Sequence, residues 1–259
     1  MIANRSFASD ALGERLRYRV VRGQGEGPLP VAYLLHGRGD TAASWEPVLD
    51  DLARLPLIAI MPDAPWSARA SYYVDSQHTA GRSVESAIAF DLVAEVDRTF
   101  PTIADRAHRI VAGYSMGGYG AVRLGLAHPD VFSGVAALSP AVYVPEPPAG
   151  SSAREAGAFG SGQVVFDPAR YRELAYPALL AAYPADLDLR VAVAAGGTEP
   201  PHPGAPAALA IATQARAFAE AADRTPGIHA TYREYPGGHD FGVWRPALLD
   251  ALRQLLPPR

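Results

Sequence analysis

Residues 109–118 read RIVAGYSMGG, an apolar run followed by the pattern Gly-x-Ser-x-Gly around Ser115. The run is typical of a buried parallel strand, and residues 117–127 have the composition of a helix. Glycines on either side of Ser115 let the strand and the helix approach closely around a sharp turn, which projects the serine hydroxyl above the sheet. The backbone N–H of Met116 and the positive end of the helix then face a developing oxyanion. The pattern predicts Ser115 as a nucleophile, and the alternative is a glycine-rich turn that buries a structural serine.

Strand-like runs alternate with helical patterns on both sides of this turn, which indicates an α/β protein with a mostly parallel central sheet and helices on both faces. Residues 15–22 alternate polar and apolar side chains and suit an early edge strand, and Thr41 is suited to cap the helix that follows it. Further strands are predicted at 31–35, 57–61, 134–138, 189–195 and 229–235. Further helices are predicted at 84–96, 205–222 and 241–256.

The composition is that of a soluble globular protein. The chain has 259 residues, of which 49% are hydrophobic and 19% charged, and neither a linker nor an internal repeat divides it. We therefore expect a single domain over residues 1–259. Within it, the segment 140–188 is rich in Pro, Gly, Ser and Ala. We predict an irregular, cap-like insertion over the active site, with one helix after Pro168.

Composition also excludes several functional classes. The net charge is −4 and there is no run of lysine or arginine, so nothing indicates a nucleic-acid partner. No apolar run approaches the roughly 20 residues that a transmembrane helix needs. The chain has no cysteine, which excludes a thiol nucleophile and thiolate ligands, and no His-x-x-x-His spacing suggests a metal site. Residues 1–20 lack the apolar core of a signal peptide, which slightly favours a cytoplasmic protein over a secreted mature form; the oligomeric state stays open.

The candidate general base is His239, in the sequence GGHDF at 237–241. It lies just after the last predicted strand, where the order Ser, acid, His of this kind of catalytic site requires the base. The alternative is a surface histidine in a helix-capping loop. The other histidines suit this role less well: His36 precedes the serine, His108, His128 and His229 flank predicted elements in solvent or capping roles, and His78 and His202 lie in loops where either could touch substrate.

The candidate acid is Glu199, the first carboxylate after the strand at 189–195. Its role would be to hold the imidazole tautomer and to stabilise the imidazolium, which Glu can do as well as Asp. Other carboxylates fit less well: Asp188 precedes the strand, Glu220 and Asp223 lie on a predicted helix, and Asp240 is the immediate neighbour of His239.

Two further groups of residues are predicted at the same edge of the sheet. The loop HGRGD at 36–40 follows the strand at 31–35, and the N–H of Arg38 is the candidate second oxyanion donor beside that of Met116. Aromatic side chains near the carboxyl ends of the strands are candidates for an apolar substrate wall, with ordinary core packing as the alternative. They are Trp66, Tyr72, Tyr73, Phe241 and Trp244.

Five segments together resemble the esterase family of α/β-hydrolases, which includes esterase D (S-formylglutathione hydrolase), feruloyl esterases and mycolyl transferases. They are YLLHG at 33–37, SYYVDS at 71–76, GYSMGGYGA at 113–121, FSGVAALSP at 132–140 and GGHDFGVW at 237–244. The resemblance implies the α/β-hydrolase fold, with Ser115 as nucleophile, His239 as base, and Arg38 and Met116 as oxyanion donors.

For the acid, the resemblance selects the position of Glu199, where many members of the family carry Asp. The activity it implies is that of a serine esterase without a cofactor, acting on a small-molecule or polymer-linked ester through an acyl-enzyme. An acyltransferase that uses the same acyl-enzyme is the alternative, and a non-catalytic binding protein of the same fold is a more distant one.

Overall fold

The computed structural model describes residues 1–64, 69–202 and 204–257. Its strands are β1 (Ile2–Ser9), β2 (Glu14–Arg22), β3 (Val31–Leu35), β4 (Ile58–Pro62), β5 (Gln77–His78), β6 (Arg109–Tyr114), β7 (Gly134–Leu138), β8 (Ser161–Gly162), β9 (Leu189–Gly196) and β10 (Ile228–Tyr235). Its α-helices are α1 (Leu49–Leu52), α2 (Val84–Ser86), α3 (Val93–Thr99), α4 (Met116–Ala127), α5 (Ser152–Glu155), α6 (Pro168–Leu174), α7 (Tyr176–Ala181), α8 (Ile211–Asp223) and α9 (Phe241–Leu255).

Eight strands form one sheet in the order β1-β2-β4-β3-β6-β7-β9-β10. From β4 to β10 all neighbouring strands are parallel, and β2 is antiparallel to both β1 and β4. The parallel arrangement brings the carboxyl ends of β3, β6, β7 and β9 to the same edge, where ligands bind in open α/β sheets. The prediction that residues 15–22 form the edge is wrong, because β1 pairs along the full length of β2 and forms the edge itself.

The sheet separates two apolar cores. Side chains of β3 alternate between them: Tyr33 packs in one core and Leu34 in the other, and both are fully buried. Helices α4 and α8 cover the first core, and α1 and α9 cover the second. Strands β3, β4 and β7 are buried on both faces, which explains why they appear in the sequence as continuous apolar runs.

Three helical predictions differ from the structure. Thr41 accepts a hydrogen bond from the N–H of Ala43 as predicted, but the helix begins as a 3₁₀ helix, Ala42–Val48, before α1. Helix α8 begins at Ile211 rather than at 205, because the preceding chain forms a separate turn. The buried side chain of Gln214 holds this turn: its amide N–H donates to the carbonyl of Ala208, and its amide oxygen accepts a hydrogen bond from the N–H of Val144. The segment 140–188 contains α5 and α7 besides the helix expected after Pro168.

None of the helices in the described part of the chain combines the length and the apolar character that crossing a membrane requires.

Candidate active site

Ser115 sits on a strained turn between β6 and α4. Its φ is 56° and its ψ is −118°, a conformation that costs a non-glycine residue about 1–3 kcal/mol and that proteins retain mainly at functional sites. The flanking glycines are required by close packing. A Cβ on Gly113 would lie 2.2 Å from the carbonyl oxygen of Gly117, and one on Gly117 would lie 2.0 Å from that of Leu35. The turn therefore needs glycine at both positions and presents Ser115 at the start of α4.

Ser115 and Met116 open onto a cavity of about 320 Å³ at the carboxyl edge of the sheet. One wall comes from the segment 140–188, which supplies Ala141, Tyr143, Gly150, Ser151, Ser152 and Glu155. The remaining described residues that line it are Arg38, Tyr72, Pro200, Pro201, His202, Ile211 and His239. The predicted nucleophile, the predicted base and both predicted oxyanion donors thus border one cavity, and the segment 140–188 forms part of its wall.

His239 pairs with Glu199, the carboxylate that the order of the chain selected as the candidate acid. Nδ1 of His239 lies 3.1 Å from Oε2 of Glu199; the side chain of Glu199 is 1% exposed and that of His239 is 29% exposed. Because a carboxylate only accepts hydrogen bonds, Nδ1 carries the imidazole proton and Nε2 is left able to accept one. The other oxygen of Glu199, Oε1, accepts hydrogen bonds from the N–H of Gly196 at 2.7 Å and from the hydroxyl of Ser139.

The other carboxylates that the sequence offered have different partners. Asp240 caps α9 by accepting a hydrogen bond from the N–H of Gly242 at 2.7 Å. Asp223 accepts one from the N–H of Ala230, and Asp188 lies 4.0 Å from the exposed ring of His229. None of these contacts involves His239. Among the described residues, no group of His, Asp and Glu has the arrangement of a metal site.

Trp244 and Phe241 pack behind His239, and neither is among the described residues that line the cavity. The indole of Trp244 meets the ring of His239 edge to face at 4.9 Å, stacks on Tyr114 at 4.3 Å and donates its N–H to Ser139. Phe241 contacts the rings of Tyr114 and Trp244. The expectation that both form a substrate wall is therefore corrected. The first turn of α9 directs the ring of Trp244 into the core and packs the half-buried ring of Phe241 against it.

The three aromatic residues in the loop after β4 have different outcomes. Tyr72 lines the cavity, and its hydroxyl lies 2.9 Å from Oγ of Ser152. Tyr73 is fully buried with its hydroxyl donating to the carbonyl of His36, so its assignment to the substrate wall is corrected to core packing. Trp66 lies outside the described residues.

The loop that carries Arg38 is held from below by buried polar groups. Nδ1 of His36 donates to the carbonyl of Gly37 at 2.7 Å, and its Nε2 accepts a hydrogen bond from the N–H of Ala64 at 3.0 Å. Burial lowers the pKa of His36, which agrees with a neutral ring that both donates and accepts. The hydroxyl of Tyr114 donates to Asp40 at 2.7 Å, so Asp40 is bonded to the core.

Several residues at the site were not found from the sequence. The wall from 140–188 belongs to a segment whose course no sequence pattern fixes. Ser139 did carry a signal: it is a polar residue directly after a buried strand, at the edge where the strands of Ser115 and Glu199 also end. His202, which was one of two loop histidines expected near substrate, lines the cavity, whereas Nδ1 of His78 accepts a hydrogen bond within its own loop, from Ala80.

Solved structures establish the fold class of the chain. The chain superposes on a ferulic acid esterase with a TM-score of 0.76 and 24% identity, covering 99% of this chain and 97% of that one. It superposes on an S-formylglutathione hydrolase from Agrobacterium tumefaciens with a TM-score of 0.78 and 19% identity, covering 98% and 94%. At these identities the likeness establishes the fold, which is that of the α/β-hydrolases.

The sequence then specifies the family. The profile of the esterase family, described as "Putative esterase", matches residues 9–255, so the chain belongs to this family. A curated relative, the endo-1,4-beta-xylanase/feruloyl esterase of Xylanibacter ruminicola, is 31% identical over 137 residues, which is 49% of this chain. The match spans 19% of that relative, so most of the longer protein has no counterpart here.

Proposed function

We propose that this chain is a serine esterase that hydrolyses carboxylic esters through an acyl-enzyme on Ser115. One observation supports the proposal above the others: Ser115 and His239 line the same cavity, and His239 is bonded at 3.1 Å to the buried carboxylate of Glu199. A buried carboxylate, an imidazole and a serine in this order are the parts of an activated nucleophile.

In the acylation step, Oγ of Ser115 attacks the ester carbonyl carbon while its proton passes to Nε2 of His239. The carboxylate of Glu199 stabilises the resulting imidazolium through the proton on Nδ1. The carbonyl oxygen becomes an oxyanion, which accepts hydrogen bonds from the backbone N–H groups of Met116 and Arg38. When the intermediate collapses, the bond to the alcohol oxygen breaks and the imidazolium gives its proton to the leaving alcohol.

In the deacylation step, a water molecule attacks the acyl carbonyl carbon and gives a proton to Nε2 of His239. The same two amides hold the second oxyanion. As the bond to Oγ breaks, His239 returns the proton to Ser115, and the carboxylic acid leaves. Every proton and electron pair is accounted for by the ester, water and these residues, so the reaction needs no cofactor.

The size of the cavity limits the part of the ester that enters it to a small acyl or aryl group. Its volume of about 320 Å³ lies at the lower end of the range for small-molecule sites, and the rings of Tyr72 and Tyr143 form part of its wall. The open face leaves room for a free or polymer-linked alcohol. Esters of phenolic acids such as ferulic acid belong in the test because the matched relative includes a feruloyl esterase and one superposed structure is a ferulic acid esterase.

The test is turnover of p-nitrophenyl acetate, p-nitrophenyl butyrate and methyl ferulate by the wild type and by Ser115→Ala. We expect kcat to fall by about 10⁴-fold or more in the variant. The control is Ser133→Ala, at a buried serine that lies just before β7 and whose hydroxyl makes no hydrogen bond within the described residues. Equal turnover by the wild type and Ser115→Ala, or no turnover of any ester by the wild type, would contradict the proposal.

The same assay separates hydrolysis from acyl transfer. With glycerol added as an acceptor, hydrolysis predicts that the free acid remains the main product at millimolar acceptor. If the glycerol ester is instead the main product under these conditions, acyl transfer through the same acyl-enzyme replaces hydrolysis as the function.

A further inference from the structure

Ser139 adopts a backbone conformation that glycine would adopt more easily. It follows β7, between the strand that leads to Ser115 and the strand that leads to Glu199, and its φ is 44°. Its N–H donates to the carbonyl of Ala194 at 2.7 Å, which fixes the turn. A side chain disfavours this region of φ, whereas glycine does not. The presence of serine here therefore calls for a reason in the side chain itself.

The hydroxyl of Ser139 makes two directed hydrogen bonds in the core. It donates to Oε1 of Glu199, and it accepts the indole N–H of Trp244 at 3.0 Å. An indole can only donate and a carboxylate can only accept, so Trp244 occupies a lone pair of Oγ and the single hydroxyl proton is directed at Glu199. Ser139 itself is fully buried, so no water replaces either partner.

This arrangement fixes the rotation of the carboxylate. Oε1 of Glu199 accepts both the Ser139 hydroxyl and the N–H of Gly196, which leaves Oε2 to face Nδ1 of His239. A glutamate has one more rotatable bond than an aspartate, and two donors on one oxygen remove that freedom. The ring of Trp244 also packs edge to face on His239, so one indole contacts both the base and the donor to the acid.

We propose that Ser139, oriented by Trp244, is a positioning residue that aims the carboxylate of Glu199 at His239. The proposal rests on the proposed function in that Glu199 acts as the acid. Ser139 does not line the cavity, so its loss should affect the chemical step rather than substrate binding.

The decisive variant is Ser139→Gly, because it removes the hydroxyl and relieves the backbone at the same time. We expect its melting temperature to fall only modestly, because relief of the backbone partly offsets the loss of two buried hydrogen bonds. Its kcat should fall about 10- to 100-fold, and its KM should stay within about twofold. Ser133→Ala, just before the other end of β7, is the matched control. It should leave the melting temperature, kcat and KM unchanged. A merely structural serine predicts instead that Ser139→Gly is fully active.

A double-mutant cycle tests whether Trp244 acts on the carboxylate of Glu199 through Ser139. Trp244→Phe keeps the ring against His239 and Tyr114 but removes the N–H. It should lower kcat when Ser139 is present and have no further effect on kcat in the Ser139→Gly background. Independent, multiplying losses from the two substitutions would overturn the proposed orientation by Trp244.

A second readout does not depend on ester turnover. The proton shared by Nδ1 of His239 and Glu199 should give a downfield imidazole resonance in the proton NMR spectrum, assigned by its loss in His239→Ala. We expect this resonance to move upfield or to disappear in Ser139→Gly and to persist in Ser133→Ala. An unchanged resonance together with an unchanged kcat overturns the proposal. If the wild type hydrolyses no ester, the proposed function fails, and the resonance alone decides the role of Ser139.

Discussion

The carboxyl group of Glu199 is enclosed by donors from three loops at one edge of the sheet. Gly196 and Ser139 bond one oxygen and His239 bonds the other, and the side chain is 1% exposed. In so little solvent, the charge of the carboxylate acts on the imidazole with weak screening. The proposed role of Glu199 therefore depends on its charge and on its fixed geometry.

The prediction at this scale is that Glu199→Gln loses activity without losing its fold. The amide has nearly the same size, but it carries no charge to stabilise the imidazolium, and it presents an N–H₂ group to partners that are all donors. We expect kcat to fall about 10²- to 10⁴-fold with little change in KM, measured on p-nitrophenyl acetate.

The matched control is Asp240→Asn, because it changes the carboxylate next to His239 and keeps a good helix cap. It should retain kcat within about threefold. A larger loss in Asp240→Asn than in Glu199→Gln would show that the wrong carboxylate has been assigned.

The order of residues along the chain predicted that Glu199 and His239 lie close together, and they pair in the structure because each follows a strand that ends at the same edge. It was not enough for the aromatic residues. Tyr72 lines the cavity and its neighbour Tyr73 packs in the core, and both have a positive φ that no sequence pattern revealed. The direction of a side chain in a strained loop depends on contacts that form only in the folded protein.

The turn from β6 to α4 is formed by close backbone packing, in which β6, α4 and the end of β3 are in direct contact. The positions of Gly113 and Gly117 leave no room for a Cβ, and the opposing atoms are backbone carbonyls that cannot rotate away. The sequence predicted this strand-turn-helix unit correctly. Its motif, Gly-x-Ser-x-Gly directly after an apolar strand, contains two glycines that the packing of the turn requires.

We predict that Gly117→Ala destabilises the whole fold. The new Cβ would lie 2.0 Å from the carbonyl oxygen of Leu35, so β3 and α4 would have to separate. We expect the free energy of unfolding to fall by about 3 kcal/mol, measured by urea denaturation.

Gly238→Ala is the control for stability, because its Cβ would meet nothing nearer than 3.5 Å. It should change the free energy of unfolding by less than about 1 kcal/mol. An equal loss in the two variants would refute the steric explanation.

Other elements could be predicted only in part. Strand β1 was missed because it lies at the edge, where most of its side chains are exposed and no apolar alternation is needed. The start of α8 was placed too early because the buried Gln214, through its contacts with Ala208 and Val144, ends the preceding turn. Tertiary contacts of this kind are absent from local sequence patterns.

At the scale of the whole molecule, a buried ionic cluster joins helices that the sheet does not connect. Glu85 of α2 accepts hydrogen bonds from Arg123 of α4 at 2.6 Å and from His128 at 2.9 Å, and Arg123 also donates to the carbonyl of Leu174 in α6. His128 was expected in a solvent or capping role, and its bond to a buried carboxylate corrects that expectation.

The cluster makes stability depend on pH. Burial by itself raises the pKa of Glu85, but the hydrogen bonds and charges of His128 and Arg123 outweigh it and hold the pKa below its usual 4.5. The unfolded chain therefore takes up a proton at Glu85 before the folded chain does, so this stabilisation is present above about pH 4.5 and is lost as the pH falls through the folded pKa. The lowered pKa of buried His36 acts in the same direction below pH 6.5.

We predict that Glu85→Gln lowers the free energy of unfolding at pH 7 by about 3–5 kcal/mol, because it leaves Arg123 buried without its counter-charge. The fall in stability between pH 6 and pH 3 should also be shallower than in the wild type, measured by urea denaturation at a series of pH values. Glu234→Gln breaks an exposed pair with Arg216 and should cost less than about 1 kcal/mol. Parallel pH profiles for the wild type and Glu85→Gln would contradict this explanation of the pH dependence.

The single domain proposed for residues 1–259 should unfold in one transition in each of these denaturation experiments.

If the enzyme acts through a covalent intermediate on Ser115, a fluorophosphonate should label this residue, and mass spectrometry of the treated protein would detect the adduct. We expect one adduct per chain, located on the peptide that contains Ser115, absent from Ser115→Ala and formed much more slowly in His239→Ala. An unmodified wild type, an adduct on another residue, or equal labelling of Ser115→Ala would contradict it.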